Sequence, residues 1–236
     1  KDFDKRIHYD GPLLVLNNSF TASSSEIFSG ALKDYNRGLI VGESTFGKGT
    51  VQNLLDLERF FSMTDLKLGQ LKITLAKYYR VNGGSTQKIG VEPHIEFPNI
   101  YDRDIYTENS RINALEWDKI REITYVDINY INKPLIDHLN SKFIKNVEND
   151  SSFINYMSFV NETKKSRENK TISLNYDTRL KEKKENDSKN KSLDTSVKLS
   201  EIFPVKEESL LNKIKNDIYL RESVKLFVQM LSFKES

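Results

Sequence analysis

The chain has 236 residues, 37% of them hydrophobic, and a net charge of +2 from 36 basic and 34 acidic side chains spread along its length; this suits one large domain or two small ones and offers no basic face for nucleic acid. It has no cysteine, which excludes a disulfide framework, a thiolate nucleophile and a Cys-built zinc site. No window approaches the ~18 consecutive apolar residues of a membrane span, and a chain that opens KDFDKRIHYD, with Lys1 in place of an initiator Met and no signal peptide, is expected to be a processed or partial product.

Gly11-Pro12 marks a turn, and the apolar run Leu13 to Leu16, of the kind buried parallel strands show, predicts a central strand ending at Asn17-Asn18. Between Ser25 and Tyr35 the residues Ile27, Phe28, Ala31, Leu32 and Tyr35 share one helical face, and Asn36-Arg37-Gly38 supplies the stop. Leu39-Ile40-Val41 predicts a second buried strand, so residues 12 to 43 make a β-α-β unit with a parallel sheet and a right-handed crossover. Thr50 to Leu54 also reads as strand. Leu71, Ile73 and Leu75 alternate with polar residues and continue into Tyr78-Tyr79-Arg80-Val81, up to the turn Asn82-Gly83-Gly84. Ile89 to Phe97, interrupted by Pro93, predicts an edge strand or extended arm.

Beyond Pro98 the strand rhythm ends and the charge rises. Pro134 at the first position of a helix precedes Leu135, Leu139 and Phe143, and Phe153, Ile154, Met157 and Val160 make another helical face. The run from Arg179 to Lys191 is charged and poor in apolar residues, so a flexible segment is expected near 178–200. A last amphipathic helix is predicted from about Ser209 to Leu231, carrying Leu211, Ile214, Ile218, Val224, Phe227 and Leu231.

The chemistry concentrates between Phe20 and Gln52. Ser23-Ser24-Ser25-Glu26 forms a capping box, with Ser23 as N-cap and Glu26 three residues on. The same geometry suits a nucleophile, because a serine at a strand-to-helix turn exposes its hydroxyl beside the N–H groups of the first helical turn, which can stabilise an oxyanion. Histidine bases are limited to His8, His94 and His138. A lysine held as the free amine can serve instead, and Lys48, flanked by Gly47 and Gly49, is the candidate. Gly42-x4-Gly47-Lys48 also follows a strand as a P-loop would, although Gly49 stands where the magnesium-binding Ser or Thr belongs and strand, not helix, follows. His94 and Glu96 could pair on a metal, but no third ligand accompanies them.

Two segments carry a resemblance. Thr21-Ala22-Ser23-Ser24-Ser25-Glu26-Ile27-Phe28 and Thr45-Phe46-Gly47-Lys48-Gly49-Thr50-Val51-Gln52 resemble the paired motifs of the tail-specific proteases, also called C-terminal processing peptidases, which are Ser-Lys endopeptidases. Tyr79 to Gln87 and Ser173-Leu174-Asn175-Tyr176 look like the bacterial periplasmic branch. The resemblance implies a partial crotonase-like α/β protease core over 1–100 and a mainly α-helical domain over 101–236. It implies Ser23 as nucleophile, Lys48 as general base, Gln52 orienting the lysine, the Ser24 backbone N–H as an oxyanion donor, and Asp34 as the match of an acidic residue implicated in that branch. No metal, nucleotide or other cofactor is implied. The implied partners are protein substrates with apolar C-termini and a lipoprotein adaptor, in the periplasm or peripherally on the inner membrane. The family's PDZ domain and the glycine-containing strand with its second oxyanion donor are expected before Lys1. Ser24 replaces the family's usual Ala, and Glu92-Pro93-His94 its Thr-Pro-Asp. The competing expectations are a non-catalytic remnant that binds peptides or an adaptor and, third, a P-loop-like nucleotide-binding protein.

Overall fold

A computed structural model describes residues 4, 6–60, 67–192 and 217–233. They belong to two compact units, one running to Glu96 and including Tyr101–Ile131, the other comprising Phe97–Ile100 and the chain from Asn132 onward.

The first unit is built on the expected β-α-β turn. Strands β1 (Leu14–Asn17) and β2 (Leu39–Gly42) pair in parallel, Leu14 opposite Leu39 through Asn17 opposite Gly42, with helix α1 (Ser24–Asp34) as the crossover. After β3 (Thr50–Asp56) and β4 (Gln70–Lys77), which form a separate antiparallel pair, the two-residue β5 (Ile95–Glu96) joins the far side of β2 in parallel. β2 is therefore central, and Leu39, Ile40, Val41 and Ile95 are fully buried, as continuous apolar runs in parallel sheets are. β1, expected to be central and buried, instead lies at an edge of this three-stranded sheet, with Leu14 and Val15 half-buried and Leu16 exposed because no strand covers its other side among the described residues. α1 stops where Asn36 adopts φ 49°, a left-handed conformation that asparagine tolerates. β4 ends at Lys77, and beyond it Tyr79 makes only an isolated bridge to Ser85.

The buried face of α1 is not the apolar one. Ile27 and Phe28 are 42% and 56% exposed, while Glu26, Ser29 and Gly30 are buried. The reason is what faces them: Ser29 Oγ donates to Asn17 Oδ1 at 3.1 Å, Gly30 leaves room for the Arg80 side chain, and Glu26 collects hydrogen-bond donors. A helix face with a polar partner for each polar group can be buried without apolar side chains.

The second unit is helical. Asn132 caps α3 (Lys133–Glu148) by accepting from Leu135 N–H at 3.1 Å, and Pro134 falls at the second position of the helix, where a missing N–H costs nothing. Leu135, Leu139 and Phe143 are buried as their spacing predicts. α4 (Ser151–Glu168) buries Phe153, Tyr156 and Val160 and exposes Ile154; Tyr156 gains its place through a 3.1 Å hydrogen bond to the Tyr219 hydroxyl. Residues 178–192 of the segment expected to be flexible belong to helix α5 (Tyr176–Ser192), and 193–200 lie outside the described residues. The final helix, α6 (Ile218–Ser232), buries Ile218, Glu222, Ser223, Leu226 and Met230, whereas Val224 and Leu231 are exposed. That reversal follows from ion pairing. Glu222, 1% exposed, accepts from Lys225 Nζ at 2.7 Å and Arg221 Nε at 3.1 Å, and Arg221 also reaches Asp150, the α4 cap, at 2.8 Å. Leu211 and Ile214 fall outside the described residues. Among the described residues no helix is long and apolar enough to cross a membrane.

Candidate active site

The loop from Asn18 to Ser23 carries the chain from the end of β1 into α1. Asn18 Oδ1 accepts from the N–H groups of Phe20 and Thr21 at 3.0 and 3.1 Å, Ser19 N–H donates to Glu43 Oε2 at 2.9 Å, and Phe46 N–H donates to Thr21 O at 2.8 Å. Ser23 then adopts φ 58° and ψ −117°. Such a conformation costs a non-glycine residue about 1–3 kcal/mol and persists where its surroundings impose it. It is the kind of sharp turn into a helix that presents a nucleophile's hydroxyl, and Ser23 is exposed. The N–H groups of Ser25, Glu26 and Ile27 are taken by Ala22 O and Ser23 O. Among the described residues no acceptor takes the Ser24 N–H, which suits an oxyanion donor.

Glu26 joins this turn to the lysine loop. Its Oε2 accepts from Ser23 N–H at 2.8 Å and from Lys48 N–H at 2.9 Å; its Oε1 accepts from Gly47 N–H at 2.6 Å and Thr45 Oγ1 at 2.5 Å. The carboxylate is fully buried, and four donors replace the water it has lost. The glycines admit a second backbone. Gly47, at φ +92°, accepts at its carbonyl oxygen from Lys88 N–H at 2.8 Å, and a Cβ there would stand 2.7 Å from the Lys88 carbonyl carbon. At Gly49 a Cβ would stand 2.6 Å from Gln87 N, and Gly49 N–H donates to Gln87 Oε1 at 2.9 Å.

The backbones of Ser23, Gly47 and Lys48 thus meet around one carboxylate, with Lys48 half-buried. Gln52 lies on β3, exposed, and its Nε2 donates to Thr74 Oγ1 at 3.4 Å. Asp34 ends α1, about 15 Å along the axis from the helix start at 1.5 Å per residue. There it holds Arg80 through both carboxylate oxygens, with Asn82 Nδ2 at 3.1 Å. The histidines are engaged elsewhere: His94 Nδ1 accepts from Ile40 N–H at 3.0 Å, His8 contacts Asp4 at 3.2 Å, and the His138 ring lies 5.1 Å from that of Phe233. The P-loop reading is overturned. Gly47, Lys48 and Gly49 N–H groups are all consumed by Glu26 and Gln87, and strand β3 follows. Among the described residues no cluster of three His, Asp or Glu could hold a metal.

Sequence reasoning gives Glu26 only as a capping residue; its reach to Thr45, Gly47 and Lys48 depends on the β1–β2 pairing and has no local signal.

Residues 1–97 match the model of peptidase family S41, a class of serine-type peptidases. Residues 101–232 match the C-terminal domain of tail-specific protease, and the chain belongs to the tail-specific protease family. It is 37% identical to the tail-specific protease of Haemophilus influenzae over 99% of the chain and 34% of that relative, so it spans about a third of the relative's length. It is 42% identical to the chloroplastic C-terminal processing peptidase of Tetradesmus obliquus over 40% of the chain and 19% of that relative. A solved photosystem II D1 C-terminal processing protease is 44% identical over 36% of the chain and 20% of its own, with a TM-score of 0.31.

Proposed function

We propose that the chain carries the Ser-Lys centre of a serine endopeptidase, with Ser23 as nucleophile and Lys48 as general base. Ser23 Oγ attacks the substrate carbonyl carbon and its proton passes to the neutral Lys48 amine; the Ser24 N–H receives the developing oxyanion; Lys48 returns the proton to the leaving amine, and water then hydrolyses the acyl-enzyme. Gln52 orients the lysine. Asp34, at the far end of α1, acts through Arg80 and Asn82 and not on the substrate. The observation that carries the reading is Glu26 Oε2, one oxygen atom that accepts both the Ser23 and the Lys48 backbone N–H.

The proposed substrates are proteins presenting apolar C-terminal tails, met in the periplasm or at the face of the inner membrane with a lipoprotein adaptor; the name of the Haemophilus relative supports tail recognition. Fluorophosphonate labelling of the protein that carries this chain tests the assignment. Ser23→Ala is expected to abolish labelling and hydrolysis, while Ser24→Ala and Ser25→Ala retain both. Labelling that survives Ser23→Ala overturns it, and a parent protein that never labels favours the non-catalytic peptide-binding reading.

A further inference from the structure

The lysine loop is also held by its carbonyls. Helix α2 (Arg103–Tyr106) and the 3-10 turn Glu108–Ser110 lie in the first unit, yet fall beyond the peptidase-family match that ends at residue 97. Arg103 Nη1 donates to Ser44 O at 2.8 Å and Thr45 O at 2.7 Å; Nη2 donates to Lys88 O at 3.2 Å and Ile89 O at 2.7 Å. One guanidinium thus satisfies four carbonyls from the two loops whose glycine contacts shape the lysine turn. Glu108 continues the clasp. Its N–H donates to Phe46 O at 3.2 Å, and its Oε1 accepts from Gln87 Nε2 at 3.1 Å, the same Gln87 whose Oε1 takes Gly49 N–H. The Arg111 guanidinium stands 5.8 Å from the Phe46 ring centroid.

Four carbonyl oxygens converging on one place repel one another unless a cation sits between them, and only a planar fork of donors reaches all four at once. We infer that Arg103 is a positioning residue for Lys48: the segment after the shared protease core fixes the loop that delivers the base. This rests on the Ser-Lys reading above. Glu26 holds the loop by its N–H groups and Arg103 by its carbonyls, so removing Arg103 leaves Lys48 tethered but free to swing.

The test uses Arg103→Ala and Arg103→Lys in the protein that carries this chain, with amide hydrogen exchange and the rate of fluorophosphonate labelling as readouts. Exchange at residues 44–49 is expected to quicken at least about tenfold in Arg103→Ala while that of Leu39–Gly42 stays put, because only the local opening equilibrium changes. Labelling of Ser23 is expected to slow about a hundredfold, the scale of a small misplacement of a reacting group. Arg103→Lys keeps the charge but not the fork and is expected to fall between; should the alanine variant not fold, the lysine variant carries both measurements. Unchanged exchange at 44–49, or an unchanged labelling rate, overturns the inference. Ser23→Ala and Lys48→Ala run alongside: if they still label, the function reading fails, and exchange alone then decides whether Arg103 clasps the loop.

Discussion

Each oxygen of the Glu26 carboxylate takes two donors, and an amide in its place would aim an NH2 group at two of them. Glu26→Gln is therefore expected to be nearly as damaging as Glu26→Ala, unlike most isosteric changes. Leaving two or more buried donors unpaired costs about 1–3 kcal/mol each, so a destabilisation of about 3 kcal/mol is expected in urea unfolding, with loss of Ser23 labelling. A Gln variant close to the parent in both would show that the carboxylate is a bystander. Ser23 sharpens the point. Its positive φ is kept by the Glu26 bond to its N–H on one side and by the bond of Phe46 to Thr21 on the other, so strain at Ser23 and geometry at Lys48 share one support.

The elements that position the site were written in local patterns. The apolar runs at Leu14 and Leu39, the serine cap and the Asn36 stop were legible because each depends on neighbours in sequence. The buried face of α1 and the buried stripe of α6 were not, since both carry a buried glutamate matched by donors: Glu26 by Thr45 and Gly47 from a distant loop, Glu222 by Arg221 and Lys225 of its own helix. Periodicity assumes that apolar side chains face inward, and it fails where polar ones are matched. Among the motifs, the glycines beside Lys48 were legible as a space for backbone, but not which backbone would fill it. Gly47→Ala is expected to destabilise by about 2 kcal/mol or more, combining a left-handed φ with a collision against Lys88. Lys48→Arg, which adds no strain to the loop, is expected to keep stability and abolish labelling, because arginine gives up no proton at working pH. An arginine variant that labels well would return attention to a histidine base.

At the scale of the whole molecule, acid weakens the first unit through His94. His94 joins the approach to β5 to β2, accepting Ile40 N–H on Nδ1 while its own N–H donates to Ile40 O at 2.7 Å. Burial, and then the charge of Lys33, lower its pKa from 6.5 to about 4. The unfolded chain takes up the proton as pH falls through 6.5, the folded one only near 4. Stability is therefore lost progressively between those values, by about 3 kcal/mol at most, and this residue adds no pH dependence above 6.5. Trp117, the one tryptophan of the chain, lies in the first unit and reports its unfolding. His94→Asn, which keeps an acceptor without the titration, is expected to flatten the decline between pH 6.5 and 4. An undiminished slope would assign the acid sensitivity to other groups.

The shared Glu26 carboxylate also has an evolutionary consequence. The serine turn and the lysine loop are read as separate motifs, but four hydrogen bonds to one side chain make them a single heritable unit in which a change at Thr45 or Gly47 alters what position 26 can be. Substitutions in one segment will be conditional on the other, and a graft that moves either segment alone into a relative with a different partner sequence will carry over the letters of the motif without its geometry.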